Sequence, residues 1–456
     1  MLLLLAGTVA GCGLLRNGGG GTDAPAPRKA KPAPRKLRVR VVVLDGDLRR
    51  RVPKATVWIG KRRLRADRRG VAVARLVPGP AIVRVRARGY KASMRRTNFR
   101  RVPIFTFRVY QPRLQWTLYG GDPARTQVHH GIRMRPPFRI IWSAANKNLI
   151  EFPAVVSDGF AYIATGRGTI RAISMRYGTT AWRRETHTKM ASSLAVWGDK
   201  LVTHGMGDGR VRVLDRRNGR ILWSRGVGSA IESSPVIRHG VDYFGAANGG
   251  VYALDLRRRR LRWSYSSGAK ITASVSLVGN TAFLGNYGGR VLALNARTGR
   301  LRWSGSVNGR VYGTAPVSGG RLFVPSSTGG SVTAFSTRGA RLWSVSTGSY
   351  VYSSPAVWAG RVVFGSYNGI LYCVSARSGR VLWTVGIGGS ISGAPIVVSG
   401  IAYAASFANR TLGVDIRTGR VIFRFPHGEY VPVSGNGGRL LLHGYSRIWA
   451  VEPRHR

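Results

Sequence analysis

Acidic residues and cysteine are the scarce components of this sequence. Asp and Glu together number 17 in 456 residues, against 73 Lys and Arg, which gives a formal net charge of +56. Glutamate is confined to Glu151, Glu185, Glu232, Glu429 and Glu452. A calcium site takes about six to eight oxygen ligands, many of them carboxylates. The sequence therefore offers little material for such a site.

Cysteine is limited to Cys12 and Cys373. If the first is modified, the second has no partner, which excludes an intrachain disulfide. Cys373 lies in a predicted strand, where we expect a buried, small apolar side chain. The sequence contains no adjacent cysteine pair, no zinc-ligand spacing, no Gly-rich phosphate loop and no nucleic-acid-binding motif.

Long hydrophobic runs are also missing, and the apolar run that opens the chain is short. Residues 1–12 read MLLLLAGTVAGC, which is too short for a membrane-spanning helix and typical of an export signal. The segment Val9-Ala10-Gly11-Cys12 resembles a bacterial lipobox, which predicts that Cys12 is lipidated. Residues 13–36 are rich in Gly, Pro and basic side chains and are predicted to act as a tether.

The second half of the chain contains a column of tryptophans. They follow one another at steps of 40, 41, 40, 40, 40 and 40 residues. The members are Trp142, Trp182, Trp223, Trp263, Trp303, Trp343 and Trp383, and one more step of 40 reaches Phe423. A fixed period in this range indicates an array of structural repeats. We interpret the column as packing between neighbouring repeats.

Each repeat contains four short β-rich runs separated by turn pairs. In one period the runs lie at residues 235–237, 241–245, 251–254 and 261–263. Asn-Gly and Gly-Gly pairs between them supply the positive φ that tight hairpins require. Four antiparallel strands in about 40 residues predict a propeller blade. One repeat departs from the pattern by carrying Arg259-Arg260 at its second turn.

The repeats predict an all-β fold with an eight-bladed propeller. Eight first strands begin near Pro153, Leu194, Pro235, Val275, Pro316, Pro355, Pro395 and Pro432. The last repeat has only three strands of its own, and residues 138–142 form an orphan fourth strand ahead of the first repeat. We therefore expect this N-terminal strand to complete the last blade, which removes the open edges of the ring.

The wording of the repeat resembles the pyrroloquinoline-quinone (PQQ) repeat propellers. Their pattern, Gly-x-Val-Tyr-Ala-Leu-Asp-x-x-x-Gly-x-x-x-Trp, is matched well by residues 250–263 and 289–303 and loosely by 369–383. The resemblance covers residues 116–456 and implies eight blades. It includes a lead-in, Trp116-Thr-Leu-Tyr-Gly-Gly-Asp122. We place the propeller at residues 112–456.

Residues 37–111 form a different predicted β domain. Val39, Val41 and Val43 occupy alternate positions, as do Val83 and Val85. This period of two predicts strands with one buried and one wet face. The turns of this segment resemble those of carboxypeptidase-regulatory-like (PEGA-like) β-sandwiches, which implies a spacer or adhesion module.

The positive charge has two interpretations. Arginines are scattered along the whole chain, including the repeat positions Arg220, Arg300 and Arg380. This distribution favours the interpretation that the charge reflects the general amino-acid composition of the protein and not a binding function. Attraction to an anionic membrane or wall polymer is the alternative. Binding to nucleic acid is not expected for an exported, anchored protein.

The PQQ-repeat propellers include enzymes, the quinoproteins. The resemblance therefore also implies an alternative function, that of a PQQ- and Ca²⁺-dependent oxidoreductase. These enzymes need a metal held by oxygen ligands and a carboxylate base beside the quinone. Glu232 and Glu151 are the carboxylates expected near the central funnel. Four residues share one position in successive repeats and are predicted to face this funnel, which makes them candidate binding residues. They are Glu232, Thr272, Tyr352 and Ser392.

The sequence favours a non-enzymatic lipoprotein of the bacterial envelope that binds a protein partner. It is similar in anchor, blade number and lack of a metal site to the BamB class, and it departs from that class by its extra sandwich and its charge. We expect no cofactor, and export to the outer face of the cytoplasmic membrane or the periplasm. Quinoprotein chemistry and binding of anionic polymers or lipids are the alternatives.

Overall fold

The computed structural model describes residues 35–100 and 103–454. Within these ranges the chain forms β-strands and one 3-10 turn, Pro112–Leu114. The predicted export signal, Cys12 and residues 13–34 of the tether lie outside the described residues.

Two sheets precede the repeats and share one core. Their strands are β1 Leu37–Asp45, β2 Thr56–Ile59, β3 Arg62–Arg65, β4 Val71–Leu76, β5 Pro80–Arg86, β6 Ser93–Asn98 and β7 Ile104–Val109. The sheet orders are β4-β1-β7 and β3-β2-β5-β6. Alternate residues Val39, Val41 and Val43 of β1 pack against Val83 and Val85 of β5. The two sheets therefore bury one face each, as in a sandwich.

The repeats form eight sheets, which we call blades and number in chain order. Two further strands, β8 Val128–His129 and β9 Phe138–Ala145, come before them. Blade one contains β10 Val155–Ser157, β11 Phe160–Ala164, β12 Thr169–Ser174 and β13 Thr180–Glu185, and blade two contains β14 Ala195–Trp197, β15 Lys200–His204, β16 Arg210–Asp215 and β17 Ile221–Gly226. Blade three contains β18 Val236–Arg238, β19 Val241–Gly245, β20 Gly250–Asp255 and β21 Arg260–Ser266, and blade four contains β22 Ser276–Val278, β23 Thr281–Gly285, β24 Arg290–Asn295 and β25 Leu301–Ser306.

Blades five to eight repeat this arrangement. They contain β26 Val317–Ser318, β27 Arg321–Ser326, β28 Ser331–Ser336, β29 Arg341–Ser346; β30 Ala356–Trp358, β31 Arg361–Gly365, β32 Ile370–Ser375, β33 Val381–Gly386; β34 Ile396–Val398, β35 Ile401–Ser406, β36 Arg410–Asp415, β37 Val421–Phe425; and β38 Val433–Gly435, β39 Leu440–His443, β40 Arg447–Pro453. The middle strands are buried on both faces, whereas outer strands such as β21 alternate between exposed and half-buried residues.

The ring closes as the sequence predicts. Strand β9 pairs antiparallel with β40, with Trp142 opposite Ala450 and Ser143 opposite Trp449. The innermost strand of blade one, β10, contacts both β14 and β38. The prediction that the N-terminal strand completes the last blade is therefore confirmed. One addition was not expected from the sequence: β8 pairs in parallel with β34 and gives blade seven a fifth strand.

The tryptophan column lies between blades. Six indole nitrogens donate hydrogen bonds to a carbonyl oxygen of the following blade at 2.9–3.2 Å. The turn glycine of that blade packs on the ring. A Cβ at Gly219, for instance, would lie 2.5 Å from Cε3 of Trp182. This close approach explains why the tryptophan and the turn glycine repeat together.

The departing repeat keeps this geometry with a different residue. Arg259 occupies the turn-glycine position, adopts a positive φ of 57° and places its guanidinium 6.0 Å from the ring centre of Trp223. A left-handed conformation is unfavourable for residues with a Cβ. The cation–ring contact offsets part of this cost.

Residues 114–128, which we call the plug segment, close one end of the ring. Their backbone carbonyls accept hydrogen bonds of 2.6–3.2 Å from seven blades. The donor–acceptor pairs are Gly437–Leu114, Val156–Trp116, Val196–Thr117, Leu277–Pro123, Val317–Ala124, Val357–Thr126 and Val397–Gln127. The remaining blade, blade three, is bound by the Arg125 side chain, which donates to the carbonyls of Ser234 and Pro235.

The sandwich contacts the propeller at the plugged face. Asp47 accepts hydrogen bonds from Gln115 at 2.6 Å and from Asn436 at 2.8 Å. Burial raises the pKa of the Asp47 carboxyl to about 7, against the opposing hydrogen bond from Gln115. An ion pair of 3.0 Å between Lys91 and Asp158 lies beside this contact.

Candidate binding cavity

A central cavity opens at the end of the ring opposite the plug segment. Its volume is about 540 Å³, counting the solvent at its opening. Each blade contributes one residue just before its innermost strand, and we call these eight residues the mouth ring. They are Glu151, Ala191, Glu232, Thr272, Tyr312, Tyr352, Ser392 and Tyr430. The four candidates predicted from the sequence, Glu232, Thr272, Tyr352 and Ser392, all line this cavity.

Two aromatic members of the mouth ring, Tyr312 and Tyr430, are not among the residues predicted from the sequence. Tyr312 lies 40 residues after Thr272, so the same period would have identified it. Tyr430 lies 38 residues after Ser392, where the last repeat departs from the period. With Tyr352, they make the wall of the cavity aromatic.

A belt of buried hydroxyl groups joins the blades just below the mouth ring. Each hydroxyl accepts a hydrogen bond from the backbone N–H of the corresponding residue in the preceding blade, at 2.8–3.1 Å. The acceptors are Ser234, Ser274, Thr314 and Ser354. The belt holds blades two to six at fixed spacing, which fixes the mouth ring in turn.

The floor of the cavity belongs to the plug segment. Tyr119 is buried and donates a hydrogen bond to Ser354 Oγ at 3.1 Å. Its ring lies edge-on to Phe152, with centroids 5.5 Å apart. Beneath it, Arg125 is 0 % exposed and donates to the carbonyl of Tyr119. The cavity therefore has one open end.

Two carboxylates face the cavity in different environments. The Glu232 carboxylate forms an ion pair with the Lys270 ammonium at 2.8 Å, and the hydrogen bond between them raises the pKa of the ammonium group. Glu151 is half-buried, and burial, together with the charge of Glu232, raises the pKa of its carboxyl to about 7. Glu151 takes part in none of the ion pairs found among the described residues.

A continuous band of aromatic rings, which we call the aromatic arc, borders the opening from blade four to blade eight. Successive ring centroids lie 4.8–6.4 Å apart. Its members are Tyr287, Tyr312, Tyr350, Tyr352, Tyr367, Phe407 and Tyr430. Tyr350 is 50 % exposed and Phe407 is 38 % exposed. The arc is therefore both packed and accessible.

The cavity does not fit a calcium–quinone pair. Calcium takes about six to eight oxygen ligands. The lining offers the carboxylates of Glu151 and Glu232, and the latter is already paired with Lys270. Across the described residues, no group of three His, Cys, Asp or Glu side chains could hold a metal ion.

A buried pair of a histidine and an aspartate, which was not predicted from the sequence, is not part of the cavity lining. His204 and Asp242 are both fully buried, 2.9 Å apart, and His204 Nδ1 lies 2.6 Å from the carbonyl of Ser233. Blades two and three contribute these residues 38 positions apart. Their burial indicates a structural contact between the blades.

A basic cleft between the sandwich and blades one and two is a second concave surface. It occupies about 2300 Å³ including its open solvent. Basic and aromatic side chains share its lining, among them Arg95, Arg96, Arg217, Phe160 and Trp182. This combination can bind anionic groups.

The ring of blades, the plug and the one-ended cavity together define a β-propeller of the PQQ-repeat class. The chain belongs to the family described as outer membrane protein assembly factor BamB, whose profile matches residues 139–280 and 247–454. No curated protein matches the sequence. In the described part of the chain, no helix has the length and apolar character needed to cross a membrane.

Solved structures support the same fold. BamB from Moraxella catarrhalis is 18% identical, with a TM-score of 0.59 over 70% of this chain and 99% of that one. A europium-containing methanol dehydrogenase is 13% identical, with a TM-score of 0.63 over 74% and 91% of the two chains. A quinohemoprotein alcohol dehydrogenase from Comamonas testosteroni is 13% identical, with a TM-score of 0.62 over 75% and 81%.

Proposed function

We propose that this protein is a non-enzymatic scaffold of the bacterial envelope that binds a protein partner at the mouth of its propeller. The aromatic arc carries this proposal. Aromatic side chains and arginine are enriched at the centres of protein interfaces, where a few packed residues supply most of the binding energy. Family membership agrees with a binding role, because the family is described as an assembly factor.

The sequence and the family description support a proposed location in the cell envelope. Cys12 would be lipidated, residues 13–36 would act as a tether and residues 37–111 as a spacer before the propeller at 112–456. The site of action would be the periplasm or the outer face of the cytoplasmic membrane. We further propose that the protein works without PQQ or calcium, since the donor set of the cavity suits neither.

Site-specific photocrosslinking in native membranes tests the partner proposal. A photoreactive amino acid is placed at Tyr350 or Phe407, and at Leu301 as a control, which is 40 % exposed on the outer strand β25. The same protein should crosslink at both arc positions and not at Leu301. The double substitution Tyr350→Ser/Phe407→Ser should abolish its co-purification and lower the melting temperature only slightly, through the lost contacts with neighbouring rings. Equal crosslinking at Leu301, or unchanged co-purification, would contradict the proposal.

The basic cleft supports a second function, binding of an anionic lipid or wall polymer. Such binding would fall steeply with salt because it depends on counterion release and screened charges. Sedimentation with anionic vesicles at low and high salt measures it. The double substitution Arg95→Gln/Arg96→Gln should reduce binding, whereas Arg300→Gln, which lies on blade four, should leave it nearly unchanged. An equal loss per charge removed in both variants would indicate a general effect of charge and would contradict a site in the cleft.

A further inference from the structure

The mouth cavity combines carboxylates and aromatic rings in a chain that is otherwise strongly basic. Of the five glutamates in the sequence, Glu151 and Glu232 line this one cavity and Glu429 adjoins Tyr430 of the mouth ring. The chain as a whole has 17 acidic against 73 basic residues. The cavity therefore places two carboxylates in a basic protein, with Lys270 paired to Glu232 and Arg310 5.7 Å from the ring centre of Tyr287 in the aromatic arc.

The Glu232 carboxylate already pairs with a cation of the same chain and shows how the cavity can bind one. The ammonium of Lys270 lies 2.8 Å from Glu232 and 5.3 Å from the ring centre of Tyr287. A cation held between a carboxylate and an aromatic face gains both Coulomb and cation–π attraction. The structure thus already contains a lysine bound in this way at the edge of the cavity.

The other carboxylate has the same surroundings without a cation. Glu151 lines the cavity together with Tyr119, Tyr312, Tyr352 and Tyr430. Burial away from water penalises its charged form. A cation that entered the cavity would recover this loss and would lie against several ring faces.

We propose that the cavity receives a cationic side chain, a lysine or an arginine, carried on a projecting loop or terminus of the partner protein. This inference rests on the proposed scaffold function and names what the mouth recognises. The occupant is a single side chain because Tyr119 closes the cavity below and the volume of about 540 Å³ includes the solvent at its opening. The aromatic arc then contacts the residues that flank the cation.

Charge complementarity favours this occupant over an anionic or neutral one. An anion would meet Glu151 and Glu232 at close range, and a neutral apolar side chain would leave the Glu151 carboxylate buried without a partner, which is costly. The general positive field of the protein is screened beyond about 8 Å at physiological salt. The carboxylates inside the cavity are screened less because they are partly buried.

Binding of a lysine analogue to the full chain tests the inference. The probe is Nα-acetyl-lysine amide, and its neutral counterpart is Nα-acetyl-norleucine amide, each titrated by calorimetry or by chemical shifts of the tyrosine rings. Wild-type protein should bind the lysine probe and not the norleucine probe. The substitution Glu151→Gln should weaken binding at least about tenfold, as expected for loss of a buried charge partner.

Matched variants separate the site from general effects. Glu185→Gln removes a carboxylate on the outer strand β13, which pairs with Arg183, and should leave binding within about twofold, since exposed pairs contribute little. Tyr352→Phe should retain binding, whereas Tyr352→Leu should lose it, because a ring face is required. Equal binding of both probes, or unchanged binding by Glu151→Gln, would overturn the inference.

The two proposals can fail separately. Crosslinking at Tyr350 without binding of the lysine probe would retain the scaffold function and reject the cationic occupant. Lysine-specific binding without a crosslinked partner would retain the cavity chemistry and reject the scaffold. A free amine metabolite as the true occupant would appear as binding of n-butylammonium tighter than that of the peptide-like probe, and this would also overturn the inference.

Discussion

Arg125 in the plug segment donates a hydrogen bond from Nη2 to the carbonyl oxygen of Ser234, a residue 109 positions later in the chain. The same guanidinium donates to the carbonyls of Pro235, Val275 and Tyr119. Full burial lowers the pKa of Arg125 to about 10, so the side chain stays charged at neutral pH. One arginine therefore ties the plug to blades three and four.

The substitution Arg125→Met should destabilise the propeller by about 3 kcal/mol or more, because it leaves buried carbonyl oxygens without donors. Urea unfolding followed by tryptophan fluorescence measures this change. Arg133→Met, in an exposed position soon after the plug segment, should change stability by less than about 0.5 kcal/mol. Equal effects of the two substitutions would contradict the role assigned to Arg125.

Restoring glycine in the departing repeat should stabilise the protein. Arg259→Gly removes the positive-φ strain of a residue with a Cβ and should raise the free energy of unfolding by about 1 kcal/mol. Arg258→Gly, the neighbouring turn residue, should give no gain, since its conformation is ordinary and glycine adds unfolded-state entropy. If Arg259→Gly destabilises, the contact with Trp223 outweighs the strain.

The hydroxyl belt should be measurable at one link. Ser274→Ala leaves the backbone N–H of Ser234 without its acceptor at 2.9 Å and should cost about 1–2 kcal/mol. Ser264→Ala, on the exposed face of strand β21, should be nearly neutral. Hydrogen exchange should also show faster exchange at the Ser234 amide alone, and unchanged exchange there would argue against the belt.

The half-buried carboxyl of Glu151 makes stability depend on pH. Its pKa is raised to about 7 by burial and by Glu232, so its stabilising contribution is complete below pH ~4.5 and is lost as pH rises through ~7. Glu151→Gln should therefore gain up to about 3 kcal/mol over wild type at pH ~8 relative to pH ~4.5. Chemical unfolding at both pH values measures the gain, and an equal difference at both would contradict the assignment.

PQQ with calcium should not stabilise the protein. Ligands that bind only the folded state raise its melting temperature, and the stabilisation grows with the logarithm of ligand concentration above the Kd. Because the cavity offers two carboxylates, one of them already paired with Lys270, we expect no shift at ligand concentrations well above micromolar. A stoichiometric, calcium-dependent rise would overturn this expectation and would make Glu232 and Glu151 the first residues to substitute.

The sequence predicted the ring because its signals are local and repeat. The tryptophans and the turn glycines recur at a fixed spacing, which gives the number and length of the repeats. The orphan strand at residues 138–142 was left without a repeat of its own, and as part of β9 it completes blade eight as expected. The mouth ring was predicted in part for the same reason. Glu232 and Thr272 mark its position, and continuing the step of 40 would have added Tyr312.

Other features could not be predicted because they depend on contacts made once. The plug segment contacts every blade, but its sequence carries no period and resembles only a lead-in. The His204–Asp242 pair joins residues that have no counterpart in other repeats. The pairing of Glu232 with Lys270 depends on side-chain reach across two blades, which spacing alone does not give.

The plug and the mouth occupy opposite faces of the propeller. Asp47, just after the end of β1, contacts the plugged face, so the sandwich lies on the side away from the cavity. Because the plug closes the ring, no chain can thread through it. A segment that enters the cavity must leave by the same opening.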